Sequence, residues 1–300
     1  DFRPFVLTVA DGEAVVKGST IRNLGFGTFA ETSGLAFLGR GYSMASADVE
    51  VSNNDITNLV SVSFIRSAKT KVSGNRLTQM RSSGIVLQST SDTKVTDNAL
   101  TSTTGHGIRI SSQSQKIALL DNTIINSKAH GIFVDDGSVL VEINGNRIEK
   151  SGLSGIALRE SGCSVVSRNK IASNAQSGVL SEASFSVAVN GNSFVKNRHG
   201  MTLERQSGSV ATDVRDNVFA RNMIAIRSDG HGDVIIAGND FSEQWTRLFA
   251  GAIASSTGRY LAFRDAGNNS DFVLTGEAKA ANVQMASFSA FGLAECNSKI

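Results

Sequence analysis

Two histidines stand 24 residues apart, each before a Gly-Ile pair: His106-Gly107-Ile108 and His130-Gly131-Ile132. Arg109 falls two places after the first of these glycines and Asp135 four places after the second, with Arg159, Glu182 and Glu204 four places after the later glycines Gly155, Gly178 and Gly200. A neutral imidazole is a suitable proton acceptor near neutral pH. An arginine can pair a carboxylate, and neutralising that charge is what removal of the proton α to it requires. The set therefore has the parts to bind and turn over an acidic sugar chain. His106, His130 and Arg109 are the candidate catalytic residues. Asp135, Arg159, Glu182 and Glu204 are candidate substrate contacts, with Asp135 orienting His130 or Arg159. Two other readings stay open. A histidine in a glycine turn can be a solvated turn residue, and alternating charges on an outer strand can simply pair with one another.

Other chemistries lack their motifs. There is no Gly-x-Ser-x-Gly, no phosphate-binding glycine loop and no Cys/His cluster. His231, in Asp229-Gly230-His231-Gly232-Asp233, reads as a loop without companion ligands, and Cys163 and Cys296 are far apart. No metal and no cofactor is expected.

A repeat must position these residues. Asn54, Asn75, Asn98, Asn122, Asn146, Asn169, Asn192, Asn217 and Asn239 recur at near-constant spacing, each followed two places on by Ile, Leu or Phe. A short β-branched run precedes each Asn, and a Gly-hydrophobe-x-hydrophobe segment follows at Gly84, Gly107, Gly131, Gly155, Gly178 and Gly200. The apolar runs are short and alternate with period two, so they read as strands. Three strands in about 23 residues suit one rung of a coil of parallel strands. The fold class read here is all-β: a right-handed, single-stranded parallel β-helix of about ten rungs with terminal caps. The Asn amides would stack from rung to rung in a ladder, and the strand glycines would supply turns with positive φ. Registration then puts His106 and His130 on neighbouring rungs, with His199 three rungs further on.

Residues 1–241 form the β-helix in this reading: Phe5–Val9 and Ala14–Val16 are strand-like, and Ile21–Leu24 with Ser33–Phe37 read as an early rung with a longer turn over Gly25–Thr32. Residues 242–300, with Trp245 and Tyr260, read as irregular rungs and a cap of the same domain, since an open end exposes core and strand edges. A net charge of +2 gives no strong field toward nucleic acid, and no apolar run is long enough to span a bilayer. The chain begins at Asp1 rather than Met, read as a mature or trimmed product from which any export signal would already be gone.

The pattern Gly-Asn-x-Ile followed by Gly-Ile-x-Leu resembles the right-handed parallel β-helix repeats of carbohydrate-binding and sugar-hydrolase proteins, including the periplasmic NosD type, over about residues 20–241. Two stretches resemble the periplasmic mannuronan C5-epimerases of alginate-producing bacteria: Ile21-Arg22-Asn23-Leu24-Gly25-Phe26-Gly27 with Ser33-Gly34-Leu35, and His106-Gly107-Ile108-Arg109-Ile110-Ser111. His106 matches that family's histidine. Ser112 stands where the family has arginine, and Val86-Leu87-Gln88-Ser89 where it has Asp-Pro-His-Asp. The resemblance implies an exported, periplasmic or secreted, polysaccharide-handling protein. An acidic (uronate) polysaccharide is the expected partner, and C5-epimerase or lyase chemistry the expected activity. The alternative is a non-catalytic β-helix: a scaffold, a sugar-binding protein, or a tailspike- or adhesin-like protein. Oligomeric state is left open.

Overall fold

The residue before each repeated Asn makes the corner of the rung. Asp97, Asp121 and Gly145 hold φ at 54°, 54° and 70°, in the left-handed region that Gly, Asn and Asp enter most readily. One such residue turns the chain between the strands Gln115–Leu120 and Thr123–Ser127. A third strand, Ile132–Val134, then completes the rung. The computed structural model describes residues 3–9, 13–27, 29–39, 48–205, 212–229, 234–243, 248–250, 261–264 and 272–274.

The repetition builds three parallel sheets of 12, 11 and 10 strands. In each, a strand is bonded to its counterparts one repeat before and one repeat after, as in a parallel β-helix. The first sheet collects the Gly-hydrophobe-x-hydrophobe strands, the second the strands before each Asn, and the third the strands after it. Registration is strict: Ile108 faces Ile132, which faces Ile156, and Leu100 faces Ile124, which faces Ile148. Strand side chains alternate between faces, so the first and second sheets each send two apolar columns inward, such as those of Ile108 and Ile110, and the third sheet sends one. Ile108, Ile132 and Ile156 pack there with Leu119, Ile143, Ile124 and Ile148 in one core. Toward the C-terminal end the third sheet's column is aromatic, with Phe194, Phe219 and Phe241 stacked at 4.9 and 5.2 Å.

Asparagine amides run down the inside of one corner in an unbroken series from Asn54 to Asn239, each Nδ2 donating to the next Oδ1. A second, shorter series links Asn174, Asn197 and Asn222 at the corner leading into the first sheet. Its signal was present in the sequence, since each of these residues lies five places after a main-series Asn.

The strand glycines differ from expectation. Positive φ belongs to the glycines before the Asn, such as Gly145, and not to Gly107 or Gly131. Those two are required by close approach: a Cβ on Gly131 would lie 2.4 Å from Ile148 Cγ2 and 2.6 Å from the Gly155 carbonyl oxygen.

The strand Val6–Val9 pairs with Gly34–Leu38 from the N-terminal side, and the first rung is in register with the second through Ala14–Lys17, Thr20–Arg22 and Gly34–Leu38. Its long turn ends in a 3₁₀ turn at Ala30–Thr32. Arg81 donates to the carbonyls of Leu24 and Gly25 and so ties this turn to the third rung. The strands Leu248–Ala250, Leu261–Arg264 and Phe272–Leu274 pair onto the first and second sheets. Most of the expected cap, with Trp245, Tyr260 and Cys296, and the His231 loop, lies outside the described residues.

Candidate functional site

The site lies on the outward face of the first sheet. One column there reads Val86, Arg109, Phe133, Ala157, Leu180, and the column two places on reads Gln88, Ser111, then Arg159 and Glu182 paired across neighbouring strands. His106 and His130 stand at the corner just before this sheet. Their rings stack at 5.5 Å with 4° between planes, and both lie against Phe133, at 4.7 and 5.2 Å. The Arg109 and Arg159 guanidinium carbons lie 6.0 and 5.6 Å from the centre of the same ring, within reach of cation–π attraction. Phe133 is thus an outward residue that its neighbours bury, at 7% exposure. Sequence reasoning missed it, although it is the one aromatic in its column between Val86 and Thr202.

The histidines are tied into the rod by backbone bonds. His130 N–H donates to His106 Nδ1 at 3.3 Å, and Ser154 N–H donates to His130 Nδ1 at 3.1 Å. Ser83 Oγ accepts in the same way from His106 N–H, at 3.2 Å. An imidazole whose Nδ1 accepts carries its proton on Nε2. Burial lowers the His106 pKa to about 3, helped by His130 and Arg109. Burial, with Arg159, lowers that of His130 to about 4. His130 is 6% exposed, so it is not a solvated turn residue. Both rings are neutral and present an N–H, whereas the sequence suggested proton acceptors. A conjugate acid near 3 or 4 makes a weak base, and the backbone occupies the lone pair.

Asp135 Oδ2 lies 3.2 Å from an Arg109 terminal nitrogen. The expected partners were His130 or Arg159. Arg109 wins because its side chain crosses one rung diagonally, while His130 Nδ1 is taken and Arg159 Nε bonds Glu182 at 2.8 Å. Burial raises the Asp135 pKa, with Arg109 opposing. Asp135 Oδ1 and Arg109 Nε are both buried without a hydrogen-bond partner. Glu182 bridges Arg159 and Arg205. Glu204 stands one rung beyond Glu182, outside the cluster. His199 bonds Thr202 at 3.2 Å; three steps of the column past His130, it does not join the stacked pair.

These protonation states predict a titration. As pH falls below about 6.5, unfolded chains take up protons on these histidines while folded chains do not, until pH approaches about 4 and then about 3. The stability they contribute is therefore complete above about pH 6.5 and lost on descent to about pH 3. Nitrogen-15 spectra should show two histidines neutral and protonated on Nε2 at pH 5.5. Titration of both His106 and His130 near their ordinary value would contradict this arrangement.

A parallel β-helix with a His–Phe–Arg–Asp cluster on its outer face defines the class. Residues 17–210 and 137–251 match the family described as periplasmic copper-binding protein (NosD), and the chain belongs to that family. No curated protein sequence matches significantly. Among solved structures, the periplasmic alginate epimerase AlgG is similar at a TM-score of 0.69 and 17% identity, over 91% of this chain and 62% of that one. The chain thus spans about three fifths of that protein. The A-module of the Azotobacter vinelandii mannuronan C-5 epimerase AlgE6 is similar at 0.57 and 15%, over 91% and 84%. PfbA, a surface adhesin of Streptococcus pneumoniae, is similar at 0.56 and 13%, over 81% and 71%. At these identities the likeness concerns the fold.

The family description names copper, which favours His, Cys or Met donors. Among the described residues no three or more His, Cys, Asp or Glu converge. Both imidazole Nδ1 atoms accept backbone N–H groups, and Cys163 is disulfide-bonded. The described residues do not fit a copper ion.

Proposed function

We propose that this protein binds an acidic polysaccharide on the outward face of the first sheet and acts on a uronate there at C5. One observation carries the reading: the Arg109–Asp135 pair sits on the histidine–phenylalanine stack with a buried, unpartnered polar atom on each member. A substrate carboxylate would take the place of Asp135 on Arg109. The Nε2–H groups of His106 and His130 would donate to the developing enediolate, as fixed donors aimed at forming charge do. Asp135, released from Arg109 and with its pKa raised by burial, is the better proton acceptor. The C5–H bond breaks, its proton goes to Asp135, and its electron pair moves into the substrate carboxyl group. Delivery of a proton from solvent to the opposite face gives epimerisation; cleavage of the C4–O4 bond, whose electron pair leaves on oxygen and takes a proton from solvent, gives elimination. Arg159, Glu182 and Glu204 extend the contact surface along the rod. The fold likeness to two alginate-modifying enzymes supports this reading. A periplasmic or secreted location is supported by the family description and by the disulfide at Cys163, a bond kept in oxidising compartments.

A second reading, sugar binding without turnover, is favoured by the pairing of Arg109 with Asp135 and of Arg159 and Arg205 with Glu182. The test is deuterium uptake at C5, and formation of unsaturated ends, over a panel of uronate polymers. His106→Ala, His130→Ala, Arg109→Ala and Asp135→Asn should each lower exchange by about 100-fold or more, while His199→Ala should not. Equal damage by His199→Ala would refute this site. Polymer binding with no exchange in the wild type would establish the second reading.

A further inference from the structure

Beside the cluster, toward the N-terminal end, a cleft of about 430 Å³ runs along the same face. It crosses four rungs, from Glu31 and Ser33 on the first to Arg109 and Ser111 on the fourth, and the long turn of the first rung closes its far end. Rungs repeat at about 4.8 Å, so its length suits two or three sugar units.

The lining is hydroxyl-rich and almost uncharged. Seven of its residues are serines, Gln88 adds an amide and Val86 an apolar patch. The charged lining residues are Glu31 at the closed end and Arg109 at the cluster end. A uronate homopolymer would bring a carboxylate on every unit, and the units beyond Arg109 would meet no cation in the lining and, at the far end, Glu31. Buried ions without partners are strongly disfavoured. Neutral sugar hydroxyls, by contrast, match serine and amide groups that both donate and accept. Two polar atoms are already desolvated and unpartnered along this cleft: Ser33 Oγ at its closed end, in a residue 1% exposed, and Arg109 Nε at the other. Arg81 holds the overhanging turn through Leu24 and Gly25, so the closed end is built by the fold.

From this lining we infer that the cleft takes neutral glycosyl units, and that the ligand is a heteropolysaccharide in which an isolated uronate, seated at Arg109, is flanked by neutral sugars. This rests on the proposed uronate site for its Arg109 end. The remainder of the cleft is a separate recognition element that sets which polymer is taken.

The experiment compares an alternating glucuronate–glucose tetrasaccharide with tetramannuronate, by calorimetric titration of the wild type, Val86→Trp, Gln88→Ala and Arg109→Ala. Val86 points outward between Ser63 and Arg109, so Trp there fills the cleft without entering the core. The wild type should bind the alternating oligosaccharide about tenfold tighter than tetramannuronate. Val86→Trp should abolish that preference, and Gln88→Ala should reduce it. Thermal melts show whether each variant is folded, and Gln88→Ala carries the test if Val86→Trp is not. Equal or tighter binding of tetramannuronate, failure of both oligosaccharides to bind, or a preference untouched by both cleft variants would overturn the inference. C5 exchange is read separately. Preference for the alternating chain without exchange leaves the inference standing and removes the enzymatic reading.

Discussion

Gly131→Ala should destabilise the rod by about 3 kcal/mol or more, at the upper end of overpacking effects. The added Cβ would meet Ile148 Cγ2 at 2.4 Å, the Gly155 carbonyl oxygen at 2.6 Å and Ser151 Oγ at 3.1 Å. None can withdraw easily. Ile148 is fully buried, and the Gly155 oxygen accepts the Ile132 N–H at 2.8 Å as part of the first sheet. Relief therefore means parting two rungs. The same separation would draw the Ser154 N–H away from His130 Nδ1 and so loosen the bond that fixes this imidazole's tautomer. Gly137→Ala is the control. Its φ is +70°, but the nearest obstacle to a Cβ is Gln113 Cγ at 3.5 Å, so only the left-handed strain of about 1–2 kcal/mol applies. Denaturant midpoints compare the two. A Gly131→Ala loss no larger than that of Gly137→Ala would show that rung spacing is not set by these glycines.

The fold was legible because parallel rungs in register force every side-chain column to repeat at one spacing. Asn54 to Asn239 and the apolar residue two places after each state that spacing directly. The same registration placed His106 beside His130 and left His199 apart. It could not give side-chain partners, which depend on reach across a rung rather than on the column. Hence Asp135 pairs with Arg109 and not with His130 or Arg159. Nor could it give the imidazole tautomers, which are set by the N–H of the following rung. The strand glycines were assigned to turns because glycine tolerates positive φ, yet what excludes a side chain at Gly107 or Gly131 is the neighbouring rung. The serine-lined cleft depends on Arg81 holding a turn 56 residues earlier. Nothing local in either segment announces that contact.

Asn146→Ala should cost about 3 kcal/mol, because several buried groups lose partners while no apolar surface is gained. Asn146 Oδ1 accepts from Asn122 N–H at 2.9 Å and from Asn122 Nδ2 at 3.0 Å. Its own Nδ2 donates to Leu119 O at 2.9 Å, Asn144 O at 3.1 Å and Asn169 Oδ1 at 3.0 Å. Alanine keeps the backbone bond to Asn169 Oδ1 but leaves the Asn122 amide and the Leu119 carbonyl facing a cavity. Asn144→Ala two places earlier is the matched control. Its side chain bonds Glu142 and Arg168 at the exposed surface, and its loss should stay within about 0.5 kcal/mol. In a rod where each rung contacts its neighbours, the damage is local. The rung affected first is the one that follows Asn122, which carries His130 and Phe133. Amide exchange at Asn122 and across Thr123–Val134 should therefore accelerate in Asn146→Ala, and far less at Asn217. Equal midpoints for the two variants, or unchanged protection at Asn122, would show that the asparagine series does not hold the site's rungs in place.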